Sequence, residues 1–459
     1  MSEETKAWRC GVCGYVVRQA VAPEACPVCG AERSSFEPFT EDPAPTTAGA
    51  AEVAGVSAES SIVIVGVGIA GLSAADAVRS ASIGAKITLV AKEPELPYYR
   101  LNLTRLLAGE VDEAHLPIHP ESWYRDRTIQ LERGREIVEI RPDDHRALLQ
   151  GGDAMPYDKL ILTVGSNPFL PPFPGVSREG VMTLRTLRDV QTILQTLRPG
   201  CRCVCIGGGF LGLEAAGGLA RRGAAVTLLE GSGWLLSRQL NERAGKLLGA
   251  RVEAMGIHLL TGAQTAEISG DGRAHGVMLK DGRTVPADLV LITTGVRPNS
   301  QLARSAGLVV NQGIVVDNHL VTSHPDILAA GDVAEHHGVL YGIWAPSQYQ
   351  GQIAGGNAVG LNVEFGGLPR SNTLKVLGID LVSVGVVEPT DAACTIIEEE
   401  YDDRYLRFVF RDARLVGAIL LGDTAVSAAV NQMVAQGTDC SALLQRCPSA
   451  RQVAEHFQL

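Results

Sequence analysis

Ser61-Ile62-Val63-Ile64-Val65-Gly66-Val67-Gly68-Ile69-Ala70-Gly71 is the stretch that decides the fold. Branched aliphatic residues read as a buried strand, the glycines as a tight turn, and Leu72 to Ser80 as a helix. Lys86-Ile-Thr-Leu-Val90 then supplies a second strand, so the segment spells β-α-β. The same grammar returns as Arg202-Cys-Val-Cys-Ile206, Gly207-Gly-Gly209-Phe210-Leu-Gly212, a helix through Arg222 and a strand from Ala225 to Glu230. In such units the glycines make the turn, admit a pyrophosphate to the backbone and bring helix against strand. The helix N-terminus offers N–H groups and the positive end of its dipole. One G-x-G-x-x-G is weak evidence. Two, each set between a strand and a helix with another strand following, predict an α/β protein with two Rossmann-like dinucleotide-binding domains.

At 459 residues the chain exceeds a single core, and roughly 100–200 residues per domain gives three or four. Forty basic against 51 acidic residues leave a formal charge of −11, which argues against nucleic acid or an anionic membrane surface as partner. No apolar run of about 18 residues is present, so no membrane span is expected. The start, Met1-Ser-Glu-Glu-Thr-Lys6, has neither a basic nor an apolar targeting region, and the expected location is the cytoplasm, with scattered thiols reduced.

Outside the repeat, the first thirty residues carry Cys10-Gly-Val-Cys13 and Cys26-Pro-Val-Cys29. Two C-x-x-C hairpins can close a tetrahedron of thiolates around one metal ion, and the spacing alone leaves iron and zinc both open. Residues 1–39 are read as this metal-closed domain and 40–60, rich in Ala, Pro, Thr and Gly, as a flexible linker. Residues 61–180 with 288–368 form one dinucleotide domain and 181–287 the other. A small α+β C-terminal domain over 369–459 begins as a strand meander, with Tyr405–Phe410, a turn at Asp412–Arg414 and Leu415–Leu421, and becomes helical from Ala425.

At the end of the second unit's next strand stands Glu230, where a carboxylate accepts a ribose 2′-hydroxyl and repels a 2′-phosphate. NADH is therefore expected over NADPH. The paired fingerprints, with Thr163-Val-Gly165, Thr294-Gly295-Val-Arg-Pro-Asn299 and Ala330-Gly331-Asp332-Val333, resemble the two-dinucleotide-binding flavoprotein disulfide-reductase superfamily. Within it the likeness is to NADH:rubredoxin oxidoreductases, apoptosis-inducing-factor-like flavoproteins and the flavin domain of assimilatory nitrite reductase. It covers about residues 60–459 and implies FAD at Gly66, Gly68, Ala70 and Gly71, and NADH at Gly207, Gly209 and Gly212, with Gly295 in the binding set. It also implies Gly331 and Asp332 against the flavin ribitol or pyrophosphate. Glu93-Pro-Glu-Leu-Pro-Tyr-Tyr-Arg100 matches the flavin loop, placing Arg100 and Arg105 on flavin-contacting positions and Lys92 and Glu93 on a ribose-contacting pair. The resemblance further implies that Arg105 pairs with Glu214 near the reactive flavin nitrogen and that Phe210 lids the nicotinamide. Trp344 reads as core or flavin edge, and His336 and His337 as loop residues.

Disulfide-reducing relatives carry a cysteine pair beside the flavin. Here Gly71-Leu-Ser-Ala-Ala-Asp-Ala77 and Tyr99–Arg105 contain none, while Cys201, Cys203 and Cys205 read as small apolar residues of one strand face. Trp8-Arg-Cys10-Gly-Val-Cys13-Gly-Tyr15, Ala22-Pro23, Cys26-Pro-Val-Cys29-Gly30 and Phe36-Glu-Pro-Phe39 resemble the short rubredoxin module of rubrerythrins, which favours iron over zinc. The expected route is NADH to FAD to the module's iron and on to an external electron-acceptor protein, by resemblance a rubrerythrin or a flavodiiron reductase. Two rivals remain: a flavin reductase whose knuckles form a docking zinc ribbon, and an NADH-sensing redox-switch binding protein. The C-terminal segment resembles the interface-type domain of these relatives, so a homodimer is possible on the resemblance alone.

Overall fold

The computed structural model describes residues 6–10, 16–24, 26, 33, 36–38, 59–368, 371–376, 378–390 and 392–458. Most of the expected linker, 40–58, lies outside them, as do Cys13 and Cys29.

Two parallel five-stranded sheets carry the repeat. The first runs Ile327–Ala329, Lys159–Leu162, Ser61–Val65, Lys86–Ala91, Ile129–Arg133. The second runs Val181–Met182, Leu289–Ile292, Arg202–Ile206, Ala225–Leu229, His258–Leu260. Their central strands, Ile62–Val65 and Cys203–Ile206, are buried, as continuous aliphatic text demands of a sheet covered on both faces. The helices that follow span Ile69–Ala81 and Phe210–Arg221 and begin directly on the glycine turns. Each sheet also has a three-stranded antiparallel excursion, Ile137–Pro156 and Thr265–Pro286.

Small residues fix the neighbour of the first glycine helix. Against it lies the helix Trp344–Ala358. A Cβ on Gly351 would stand 2.2 Å from the Ala70 carbonyl oxygen, and one on Gly355 2.2 Å from that of Ala74. Four residues apart, these glycines share one helix face, so the backbones touch and Trp344 is held beside the first glycine turn.

The C-terminal unit is an antiparallel sheet ordered Ser371–Val376, Ile379–Gly385, Arg414–Leu421, Arg404–Arg411, Cys394–Tyr401. Alternation along Tyr405–Phe410 sends Leu406, Phe408 and Phe410 to the helices that follow, where Phe408 meets Phe457 edge-on at 5.6 Å. Tyr405 faces the second dinucleotide unit, and its hydroxyl accepts from Asn241 Nδ2 at 2.7 Å. Arg407, between them and 5% exposed, is neutralised by Glu398 and donates from Nε to the Val387 carbonyl at 3.0 Å.

Among the described N-terminal residues, Val16–Gln19, Lys6–Cys10 and Phe36–Pro38 pair as an antiparallel sheet in that order. One reading of the sequence needs correction. His336 is not a loop residue: it is buried in the strand Ala334–His336, with Nε2 2.9 Å from Asn318 Oδ1, because that strand pairs with Ile314–Val316.

Candidate functional site

Both glycine turns have one geometry. Gly66 (φ +101°) and Gly207 (φ +113°) take the left-handed half of conformational space. A Cβ on Gly71 would stand 2.1 Å from the Gly66 oxygen, and one on Gly212 1.9 Å from the Gly207 oxygen. The middle glycines, Gly68 and Gly209, cap their helices with no side-chain cap bond, and a Cβ on either would meet nothing within 4 Å. Open space thus lies before uncapped helix N-termini, which fits a pyrophosphate at each.

Each turn is tied to the neighbouring strand by a buried threonine. Thr163 Oγ1 donates to the carbonyls of Val65 (3.1 Å) and Gly66 (2.9 Å). Thr293 Oγ1 meets those of Ile206 and Gly207, both at 3.0 Å. The sequence reading gave no role to Thr293. The parallel between Thr163-Val-Gly165 and Thr293-Thr-Gly295 is the signal that could have found it.

Beside the first turn opens a cavity of about 1880 Å³. Gly66, Gly68, Ala70, Lys92, Glu93, Arg100, Arg105, Phe210, Glu214, Gly331, Asp332 and Trp344 all line it. Gly207, Gly209, Gly212, Glu230 and Gly295 are not in its wall; they belong to the second turn or its surroundings. The cavity has the volume and the mixed polar and apolar wall that a flavin dinucleotide requires.

Several charges in the wall are paired. Glu93 accepts from the Tyr98 hydroxyl (2.6 Å) and from Arg100 (2.7 Å), and Arg100 also bonds the Arg185 carbonyl. Burial pushes the Tyr98 hydroxyl pKa upward, so it stays a donor. Exposed Lys92 reaches Glu136 at 2.8 Å. Asp332 accepts from Ser166 Oγ at 2.8 Å and Arg185 Nη2 at 3.0 Å. Sequence reasoning missed Arg185, because nothing near it in the chain marks a partner on so distant a segment.

The expected Arg105–Glu214 pair is not formed. Thr104 Oγ1 donates to Glu214 Oε2 at 2.8 Å, while Arg105 reaches Glu110 (3.3 Å) and Asn102 Oδ1 (3.2 Å). Consecutive residues on the short helix Leu103–Ala108 point about 100° apart. Thr104, the buried one, faces the second glycine helix, and Arg105 is turned away to Glu110, which Arg221 also engages. Removal from water pushes the Glu214 carboxyl up to about 7; the Thr104 bond pulls it down and Glu110 pushes it further up.

At the second turn Glu230 Oε2 accepts from the Gly208 amide (2.8 Å) and Oε1 from that of Ser232 (2.7 Å). Its carboxylate is thereby held at the strand end, beside the turn. Gly295 (φ +110°) accepts from the Phe169 amide at 2.8 Å.

Of the four expected metal ligands, Cys10 and Cys26 are buried side chains of one cluster; Cys13 and Cys29 lie outside the described residues, so the tetrahedron is not described as a whole. Cys201, Cys203 and Cys205 share a buried face, with Sγ of 201 and 203 at 3.9 Å. Burial pushes the Cys205 thiol up to about 12, which suits packing rather than thiolate chemistry.

Two parallel sheets, two glycine turns and a flavin-sized cavity define a two-dinucleotide-binding flavoprotein. The chain belongs to the pyridine nucleotide-disulphide oxidoreductase family, whose model matches residues 60–352. Residues 371–438 match the rubredoxin NAD+ reductase C-terminal domain, and residues 8–37 the rubredoxin-like domain of rubrerythrin. It is an oxidoreductase of a family that binds FAD and NAD(P)H, with a rubredoxin-like domain at its N-terminal end.

Among similar proteins, the nitrite reductase [NAD(P)H] of Bacillus subtilis is 34% identical over 83% of this chain and 48% of its own length. The ferredoxin--NAD(+) reductase component of the biphenyl dioxygenase system of Paraburkholderia xenovorans is 36% identical over 60% of this chain and 67% of its own. The chain spans about half the length of the nitrite reductase relatives. Among solved structures, NADH:rubredoxin oxidoreductase from Clostridium acetobutylicum superposes with TM-score 0.72 at 25% identity, covering 84% of this chain and 99% of that one. The putidaredoxin reductase in its covalent complex with putidaredoxin gives 0.76 at 28% identity, covering 83% and 94%. Among the described residues, no helix is long and apolar enough to cross a membrane.

Proposed function

We propose that this protein takes electrons from NADH and delivers them through FAD to a four-thiolate iron centre at Cys10, Cys13, Cys26 and Cys29, and from there to a separate acceptor protein. The domain limits read from the sequence are part of the proposal. When bound, FAD accepts an electron pair from NADH and releases electrons singly. The chain's own residues do the remainder. The turns at Gly66–Gly71 and Gly207–Gly212 hold the two pyrophosphates. Asp332, set by Ser166 and Arg185, takes the flavin's polar tail, and Arg100 and Lys92 supply positive charge. Phe210 covers the nicotinamide side. Glu214 holds a proton in the cavity wall near neutral pH, and Arg105, paired with Glu110, contributes charge rather than a proton. Glu230 favours NADH over NADPH through its fixed carboxylate.

The observation that carries this reading is that the cysteine-bearing module and the cavity share side chains: Arg9, Cys10 and Pro38 line the same space as Asp332 and Trp344. The match of residues 8–37 to the rubredoxin-like domain of rubrerythrin supports iron; the acceptor, on the resemblance alone, is of the rubrerythrin or flavodiiron class. Similarity to nitrite reductase supports a second reading, in which the acceptor is a nitrite-reducing component; in that reading the knuckles form a docking zinc ribbon. Stopped-flow mixing with NADH separates them. An iron–thiolate band that bleaches in step with flavin reoxidation supports the relay; flavin absorbance with no iron–thiolate band beside it, or an iron band indifferent to NADH, overturns it.

A further inference from the structure

A module of about thirty residues is too small to bury a core unaided. Here Cys10, Ala22, Cys26 and Phe36 are 0%, 5%, 1% and 8% exposed, and they form one apolar cluster with Tyr99 and Trp344 of the flavin-binding unit, at 7% and 9%. Ile69 and Ile118 of the same unit pack against this cluster, as do Trp8 and Val17 of the module. The Tyr99 and Trp344 rings lie 5.7 Å apart, inclined at 32°.

Each contributor from the flavin unit is fixed by an element of the site. Ile69 opens the first glycine helix, and Trp344 opens the helix clamped to it through Gly351 and Gly355. The Tyr99 amide donates to the Leu116 carbonyl, and the Ile118 amide to that of Pro97, both at 2.9 Å, which ties the flavin loop to the segment beneath. The face is therefore preformed. Trp344 both touches the cluster and lines the cavity, and its buried Nε1 has no hydrogen-bond partner among the described residues, so the contacts described for the ring are through its apolar surface.

We propose that Tyr99, Trp344, Ile69 and Ile118 form a docking face for the cysteine-bearing side of the N-terminal module of the same chain, bringing Cys10 and Cys26 to the Trp344 edge of the cavity. The occupant is the module itself, because its own cysteines complete the cluster. The inference rests on the reading of the module as an electron carrier only for its purpose; the docking itself is a statement about packing. Trp344 acts as a positioning residue, setting where the module sits.

The test uses the full-length, metal- and flavin-loaded protein and follows amide hydrogen exchange, with iron–thiolate absorbance as a check on the module. Ala22→Glu puts a charge into the apolar cluster from the module side while leaving the carbonyl that accepts from Arg33 Nε. With absorbance retained, exchange in segments 97–103, 116–119 and 343–348 is expected to rise at least tenfold. Unchanged exchange in a variant that keeps its absorbance overturns the docking. If Ala22→Glu loses its absorbance, Trp344→Ala decides from the other side. Tenfold faster exchange at Trp8–Cys10 supports the face, and unchanged exchange overturns it. Zinc, or no metal, in the isolated protein overturns the relay, yet the same exchange comparison still decides the docking.

Discussion

Replacing Glu214 by Gln removes one ionisable proton from the cavity wall and keeps the oxygen that accepts from Thr104 Oγ1. In the native protein the carboxyl titrates near 7 instead of the ordinary 4.5, chiefly because it is withdrawn from water. In the unfolded chain it ionises near its ordinary value. Between pH 4.5 and 7 the folded state keeps a proton that the unfolded state has lost, so this group makes stability fall as pH rises through that window and has no further effect above it. The gap corresponds to roughly 3 kcal/mol, an upper bound because Glu214 borders the cavity and any water there screens it. Wild type and Glu214→Gln should therefore unfold alike near pH 4.5, and the variant should be the more stable by about 1–3 kcal/mol at pH 8. Thermal unfolding of the protein at several pH values reads this out as a gap of several degrees that opens with pH. Infrared difference spectra of the two proteins should show a carboxylic acid band that titrates near pH 7. Parallel stability curves across the whole range, or a band that disappears near 4.5, would refute the reasoning.

Other substitutions probe the remaining parts. Gly212→Ala drives a methyl into the Gly207 carbonyl and should weaken NADH binding at least tenfold by calorimetry while bound flavin stays stoichiometric; Gly71→Ala, against Gly66, should do the reverse. Glu230→Gln loses its charge and one of the two amide bonds, a change of about 1–3 kcal/mol, and should lower the kcat/KM preference for NADH over NADPH about tenfold or more. Cys10→Ser should cut iron content by metal analysis without changing the flavin-to-protein ratio; intact iron would remove Cys10 from the ligand set.

Much of the fold was legible because its signals are local. The strand, turn and helix around Gly66 and Gly207 are written in consecutive residues, and the glycines' small size is required by contacts within the same turn. The C-terminal meander was equally readable, since alternation along Tyr405–Phe410 is a period-two pattern that one strand imposes by itself. The candidate site was only half legible. Which residues surround the cavity followed from motifs, but which side chain meets which did not. Thr104 and Arg105 are neighbours in sequence with equal claims on Glu214 until the helix geometry turns one inward. His336 read as a loop histidine because its strand partner, Ile314–Val316, carries no sequence mark of the pairing.

By itself, then, the sequence determined the two dinucleotide units, the cysteine knuckles and the acidic residue at the second strand end. The strand, turn and helix of each unit are written in consecutive residues, where backbone geometry leaves little choice, and the knuckles and the acidic residue are marked by their spacing along the chain. Tertiary structure alone decided the partners that span the chain: Arg185 on Asp332, Thr104 on Glu214, and the cysteine-bearing module against Tyr99 and Trp344. The last of these depends on how close two helices can approach. Here that distance was set by Gly351 and Gly355 against Ala70 and Ala74, so the placement of Trp344 follows from packing and not from any motif around it.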